Sequence, residues 1–189
     1  PREFMASMMT GESDHSDKIM KYIVECRKLS EFLGIKIDVL PPDINSSETD
    51  FTVDGEDIRF GLAAVKNVSE TAIQAIVEER GKGGSFHSLQ DFCERAAMKS
   101  VNKRTIESLI MAGAFDSLGG HRAQYMASLD QVLKVVQSSQ KDREKGQMSL
   151  FGSVVEEKAP SIQVELTDTP EWSYDEVLKH EKEHLGFYL

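Results

Sequence analysis

Residues 62–80 read LAAVKNVSETAIQAIVEER, and the expected fold follows from this stretch. The segment 62–65 is long enough for one helical turn, whereas Ile73, Ile76 and Val77 recur at the spacing of a longer helix. A short polar turn separates the two elements. This order of short helix, tight turn and second helix predicts a helix-hairpin-helix unit, and a plain corner between two helices is the alternative.

A helix-hairpin-helix unit presents the main-chain N–H groups of its hairpin, and the N-terminus of its second helix, to a phosphate group. Such contacts carry no sequence information, so they predict non-specific, salt-dependent binding to nucleic acid. Most hairpins of this kind contain glycines, because the backbone must approach the phosphate closely. Here Asn67 and Ser69 stand at the expected glycine positions. Asparagine tolerates left-handed backbone reasonably well, whereas serine tolerates it poorly.

A second candidate unit lies at 90–112, with residues 98–102 as its hairpin and Asn102 as the cap of its second helix. Six basic and two acidic residues occupy 80–104, although the whole chain has a net charge of -10. Such a local reversal of charge suits a phosphate-facing patch, and a solvated helix face is the alternative. The predicted DNA-contacting residues of both units are Lys66, Asn67, Val68, Ser69, Lys99, Asn102, Lys103 and Arg104.

Another signal lies at 146–152, where Gln147 is followed after two spacer residues by Leu150 and Phe151. Two adjacent large apolar side chains are costly to expose unless a partner covers them, and Gln147 adds a directional hydrogen bond. The pattern predicts a peptide that docks in a partner's groove, and it looks like the clamp-binding peptide of bacterial replication proteins. The alternative is that Leu150 and Phe151 fold back onto their own domain.

The remaining sequence predicts a mainly α fold with a small β-hairpin near 51–60, tandem helix-hairpin-helix units and an extended C-terminal segment. The hairpin is indicated by Asp54-Gly55 between alternating apolar residues. A short strand pattern precedes it at 35–39. Apolar residues at helical spacing predict further helices within 1–33 and around 89–93, 106–110 and 129–136.

Composition excludes several classes of protein. The chain has 189 residues and two cysteines, which rules out a disulfide scaffold and favours a reducing cytoplasm. No apolar run is long enough to cross a membrane, so no membrane partner is expected. Because the chain does not begin with Met, we expect a fragment of something larger.

Residues 180–184 match the pattern H-E-x-x-H, in which two histidines one helical turn apart bind zinc. Two charged residues separate the histidines, and nine acidic residues occupy 153–189. These surroundings favour a solvated helix over a zinc protease that would use His180, Glu181 and His184. The sequence therefore predicts no metal and no cofactor in this chain.

The order of the motifs along the chain resembles the C family of bacterial replicative DNA polymerases, the alpha subunits of DNA polymerase III. The resemblance covers nearly the whole chain. The segments that carry it are 3–6, 22–27, 40–45, 58–62, 103–110, 112–119, 147–151 and 183–188.

The resemblance implies four segments: the end of the fingers domain (1–48), a helix-hairpin-helix domain (49–142), a linker with the clamp-binding peptide (143–152) and an acidic connector towards an OB-fold (153–189). It implies that residues 66–69 form the DNA-facing hairpin. It also implies that Gln147, Met148, Ser149, Leu150 and Phe151 bind the clamp.

Duplex DNA, the sliding clamp (beta subunit) and other subunits of the replicative holoenzyme are the implied partners. The palm aspartates that hold Mg²⁺ in the family have no counterpart here, so this piece is not expected to polymerise DNA by itself. The alternative function is a stand-alone DNA-binding adaptor that does not bind the clamp.

Overall fold

In the computed structural model, residues 1–97, 100–147 and 163–188 are described, and most of them are helical. The N-terminal region consists of two helices, α1 (Arg2–Thr10) and α2 (Ser16–Leu33), with a turn at 11–14 between them. Helix α2 ends at Gly34, whose φ of +65° lies in the left-handed region that favours glycine.

A three-stranded sheet follows, with the order β1-β3-β2. The antiparallel pair β2 (Thr52–Asp54) and β3 (Asp57–Arg59) is the predicted hairpin, and residues 55–56 form its turn. Strand β1 (Val39–Leu40) pairs in parallel with β3. It is shorter than the predicted strand because the N–H of Ile37 bonds to Ser30 Oγ at 2.9 Å instead of a neighbouring strand.

The two predicted helix-hairpin-helix units occupy the centre of the chain. A single 3-10 turn (Leu62–Ala64) and helix α3 (Glu70–Gly83) form the first unit. The second consists of helix α4 (Leu89–Phe92), which continues as a π-helical turn (Cys93–Ala97), and helix α5 (Lys103–Met111).

Helix α6 (Arg122–Gln147) follows a 3-10 turn at Asp116–Leu118. The apolar residues predicted for this helix include Leu129, Val132 and Val136, which are buried in the core. The helix continues through the polar stretch that follows, so residues 143–147 of the predicted linker are helical.

The C-terminal segment differs from the prediction. Residues 163–173 form neither helix nor strand, and helix α7 (Tyr174–Leu185) follows. Ser173 and Glu176 form a capping box at its start, in which each side chain bonds to the main-chain N–H of the other. The helix is not fully solvated, because Leu185 and the following Phe187 are buried in the core.

A continuous apolar core joins the N-terminal helices, the sheet, both helix-hairpin-helix units and α7. Aromatic rings pack against one another within it, edge-on in three pairs and tilted in the pair of Phe60 and Phe187, and such pairs add stability beyond the area they bury. The ring centroids lie 5.0 Å apart for Phe86 and Phe92, 4.9 Å for Phe92 and Phe115, 4.7 Å for Phe51 and Phe60, and 5.9 Å for Phe60 and Phe187.

The predicted class, mainly α with a small β-hairpin, is confirmed. The division into four segments stays a prediction. Among the helices in the described ranges, none combines the length and the apolar character needed to cross a membrane.

Candidate nucleic-acid interface

The first hairpin, residues 65–69, turns at Asn67. Its φ of +64° makes it the one non-glycine residue with left-handed backbone in the described part of the chain. Ser69 is extended and caps helix α3, since its Oγ accepts the N–H of Ala72 at 3.3 Å. The hairpin therefore needs left-handed backbone at only one of the two positions where glycine was expected, and asparagine occupies it.

The main-chain N–H groups of this hairpin differ in their partners. The N–H of Lys66 donates to the carbonyl oxygen of His184 at 2.9 Å. The N–H groups of Asn67, Val68 and Ser69 donate no hydrogen bond to any described residue. Because α3 starts directly after them, its unpaired first N–H groups extend the same set of donors. An anion such as phosphate suits this set.

The second unit starts helix α5 with two cations that differ in their surroundings. Lys103 Nζ lies 2.6 Å from Asp130 Oδ1 and 3.6 Å from Glu107 Oε1. The hydrogen bond to Asp130 is the main cause of a raised pKa at Lys103. Arg104 is exposed and forms no ion pair with the described residues. A cation at a helix N-terminus opposes the helix dipole, so a bound anion would stabilise Arg104 there.

The two units lie against each other. Thr105 Oγ1 donates to the carbonyl oxygen of Asn67 at 3.0 Å, and Asn67 Nδ2 donates to Ser108 Oγ at 3.3 Å. The first hairpin is thus fixed to the first two turns of α5. This brings the unpaired N–H groups of the first hairpin next to the helix that carries Arg104. Asn102 contributes by capping that helix, since its Oδ1 accepts the N–H of Thr105 at 2.9 Å.

Most of the basic residues at 80–104 do not form a free patch, contrary to the interpretation from sequence. Arg80 donates to the carbonyl oxygens of Ile44 and Ser47. Arg95 donates to the carbonyl oxygens of Glu79 and Gly84. Lys82 pairs with Glu78. The two arginines bind main-chain carbonyl oxygens that need donors, whereas Lys82 pairs within its own helix.

Several predicted site residues lie outside the described residues. They are Lys99 in the second hairpin, and Met148, Ser149, Leu150 and Phe151 in the predicted clamp-binding peptide. Gln147 is the last residue of helix α6. The assignment of these residues stays a prediction.

The contact between helix α7 and the first hairpin was missed from the sequence. The Ser-x-x-Glu pattern at 173–176 signals the start of this helix, but the carbonyl oxygen of His184 that binds Lys66 carries no sequence signal. The side chain of His184 is 6% exposed, and neither of its ring nitrogens has a hydrogen-bond partner in the described structure. Burial lowers the pKa of this imidazole.

The H-E-x-x-H pattern has a structural role. Glu181 Oε1 lies 2.9 Å from Arg122 Nη1, so the residue that would act as a general base is held in a buried ion pair. His180 stacks on Trp172, with ring centroids 4.5 Å apart. Within the described ranges, no group of three potential ligands lies close enough to hold a metal ion.

Comparison with known proteins bears directly on this arrangement. The family described as "Helix-hairpin-helix motif" matches residues 36–125, which include both units. Over its full length the chain is 42% identical to DNA polymerase III subunit alpha of Vibrio cholerae. Over its whole length the chain is therefore similar to a segment of DNA polymerase III subunit alpha.

Further relatives agree. The chain is 44% identical to DNA polymerase III subunit alpha of Escherichia coli K12 and 45% identical to that of Thermus aquaticus, in both cases over its full length. It spans 16% of the length of the first of these and 14% of the second. The resemblance inferred from the sequence is confirmed for DNA polymerase III subunit alpha. The matched helix-hairpin-helix region begins in the predicted fingers segment, and all the first-hairpin residues fall within it.

Proposed function

We propose that this chain is the part of a bacterial replicative polymerase that holds duplex DNA and tethers the enzyme to its sliding clamp. The polymerase activity itself, and the Mg²⁺ it uses, are assigned to other parts of the longer protein. Within this proposal the chain works in the cytoplasm together with other subunits of the replicative holoenzyme.

The proposed DNA binding rests on one observation, the attachment of the first hairpin to helix α5. The unpaired N–H groups of 67–69 lie against α5, whose first turn exposes Arg104. Lys66, at the other end of the same hairpin, is also exposed and forms no ion pair with the described residues. Main-chain donors and unpaired cations at one place suit the phosphate backbone of duplex DNA, whatever its sequence.

The acidic character of the whole chain fits the same proposal. A net charge of -10 repels DNA from most of the surface, so binding concentrates where unpaired cations and N–H donors coincide. A weak contact of this kind is sufficient if a second attachment keeps the DNA close, because a tether raises the effective concentration.

The clamp-binding half rests on the peptide Gln147-Met148-Ser149-Leu150-Phe151. It starts at Gln147, the last residue of α6, and this helix is anchored in the core by Leu129, Val132 and Val136. An apolar pair beyond an anchored helix suits insertion into a groove on a partner.

Binding to a bacterial sliding clamp tests this half. We expect the chain to bind the clamp, and Leu150→Ala/Phe151→Ala to abolish most of the binding, because both apolar anchors are lost. Val154→Ala/Val155→Ala, which shortens another apolar pair a few residues further on, is the matched control and should bind like the unmodified chain. Equal binding by the two double variants would refute the peptide assignment.

Duplex binding, measured in parallel, separates the two candidate functions. A chain that binds a mixed-sequence duplex but not the clamp would be a DNA-binding adaptor. A chain that binds the clamp but no duplex would leave the hairpins as purely structural elements.

A further inference from the structure

Residues 163–188, called the C-terminal strap from here on, lie across several parts of the fold. At its start, the N–H of Val164 donates to Gln90 Oε1 at 2.9 Å, and the N–H of Thr167 donates to Ser128 Oγ at 2.8 Å. These bonds attach the strap to α4 and α6, well before it reaches the first hairpin.

The middle of the strap is fixed by Arg122 and the start of α6. The Glu171 carboxylate accepts the main-chain N–H groups of Arg122 at 2.9 Å and Ala123 at 3.1 Å, so the strap caps this helix. Burial raises the pKa of Glu171, but its bonds to main-chain N–H groups outweigh this effect and lower the pKa overall. The carboxylate is therefore ionised where it caps the helix.

Arg122 makes a second, buried connection to the strap. Arg122 is 8% exposed, and its guanidinium bonds to Asp116 on one side and to Glu181 on the other, the latter at 2.9 Å. Glu181 is 9% exposed. A carboxylate this deeply buried is costly unless it is paired, and Arg122 is the partner of Glu181, so the position of α7 depends on this contact.

The end of the strap lies on the first hairpin. The carbonyl oxygen of His184 accepts the N–H of Lys66. Two residues later, Gly186 lies so close to Ser16 that a Cβ at this position would collide with the Ser16 side chain. Phe187 then packs against Phe60 in the core. The last turn of α7 is thus held against the hairpin from several sides.

We propose that the C-terminal strap holds the first hairpin in its DNA-binding conformation, and that Arg122 and Glu181 are the positioning residues that fix the strap. This inference rests on the proposed DNA contact of the hairpin. It adds that the contact depends on residues that themselves do not touch DNA.

Two separate parts of the chain hold the hairpin. Thr105 on α5 binds the carbonyl oxygen of Asn67, and His184 on α7 binds the N–H of the preceding Lys66. With both bonds in place, the free N–H groups of 67–69 keep a fixed direction before DNA arrives. Loss of the strap contact leaves the hairpin attached on one side only, and ordering it on binding then reduces the affinity.

Two variants of α7 that remove the same charge test the proposal. Glu181→Gln removes the charge through which α7 pairs with Arg122 and keeps the side-chain volume, while Arg122 stays paired with Asp116. Glu183→Gln is the matched control, because Glu183 is exposed and forms neither an ion pair nor a hydrogen bond with the described residues. Both changes raise the net charge equally, so their general electrostatic effect on DNA binding is the same.

Affinity for a mixed-sequence duplex is measured by fluorescence anisotropy at constant salt. We expect Glu181→Gln to weaken binding about tenfold, within the usual range for coupling between separate sites. Glu183→Gln should bind at least as tightly as the unmodified chain. Equal affinities of the two variants would overturn the proposal.

Hydrogen exchange distinguishes a displaced strap from general unfolding. In Glu181→Gln, the main-chain N–H of Lys66 should exchange faster, while those of α5 that face the core stay protected. Unchanged exchange at Lys66 would overturn the proposal, and so would uniformly faster exchange in α5. If the unmodified chain binds no duplex, the proposed function fails, and the exchange result alone decides whether the strap holds the hairpin.

Discussion

The hydroxyl group of Thr105 donates a hydrogen bond of 3.0 Å to the main-chain carbonyl oxygen of Asn67, and this bond joins the two helix-hairpin-helix units. Thr105 is buried within α5, whereas Asn67 forms the exposed turn of the first hairpin. The bond therefore fixes the first hairpin, the proposed DNA-contacting surface, to a residue of the core.

Replacement of Thr105 by valine removes this bond and keeps the shape of the side chain. We expect Thr105→Val to lower the free energy of unfolding by about 1 kcal/mol, the usual net value of one hydrogen bond. Duplex binding should weaken as well, because the hairpin loses its attachment to α5. Urea denaturation and anisotropy measure the two effects. Thr105→Ser, which keeps the hydroxyl group, is the control, and the prediction fails if valine and serine variants bind DNA equally well.

The left-handed backbone at Asn67 leads to a second prediction. Alanine at φ +64° is strained by roughly 1 kcal/mol, whereas glycine is not. Both Asn67→Ala and Asn67→Gly lose the side-chain bond to Ser108, so the difference between them isolates the backbone. We expect the glycine variant to have the higher urea midpoint, and equal midpoints would contradict a left-handed turn at this residue.

Unequal roles are expected for the two cations that begin α5. Arg104 has no carboxylate partner among the described residues, whereas Lys103 is paired with Asp130 and Glu107. Arg104→Ala should reduce the slope of log affinity against log salt by about one unit, since one phosphate contact is lost. Lys103→Ala should change the slope less.

Asp130→Asn provides the complementary measurement. It removes the nearer partner of Lys103 and leaves only the longer contact with Glu107, so duplex binding should become tighter and more sensitive to salt. An equal loss of slope in Arg104→Ala and Lys103→Ala, with no gain in Asp130→Asn, would show that the ion pair does not restrain Lys103.

A structural feature can be predicted from the sequence when the residues that determine it are close together in the chain. A helix start depends on neighbouring residues, and the predicted cap Asn102 lies where α5 begins. The roles of Arg80 and Arg95 were misjudged because their carbonyl partners are distant in the chain, as with Arg80 and Ile44. Counting charges along the sequence cannot distinguish a cation that faces solvent from one that holds a loop.

The C-terminal helix shows the same limit. Its capping box at 173–176 is local and visible in the sequence, whereas the burial of Glu181 requires Arg122 on another helix. An acidic segment was therefore interpreted as solvated, although one face of it packs on the core. Tolerance of left-handed backbone is a property of single residue types, and Asn67 adopts it, whereas Ser69 at the other expected glycine position is extended.

The buried imidazole of His184 leads to a prediction about pH. Burial is the main cause of its lowered pKa; Glu183 acts in the opposite direction, whereas His180 and Lys66 lower the pKa further. The unfolded chain therefore binds a proton near the ordinary value of 6.5, and the folded chain does so only at lower pH. Since the unfolded state binds more protons in this window, stability falls as the pH drops below about 6.5.

Urea denaturation between pH 7.5 and 5.5 measures this dependence. His184→Leu removes the titrating group, so its stability should change less over this interval than that of the unmodified chain. His87→Gln replaces an exposed histidine and should keep the full dependence. Carboxylates with lowered pKa, such as Glu171, affect stability in the same direction but only below about pH 4.5, outside this window. Parallel curves for His184→Leu and the unmodified chain would mean that His184 is protonated as readily in the folded state as in the unfolded state. That result would contradict the pKa lowered by burial.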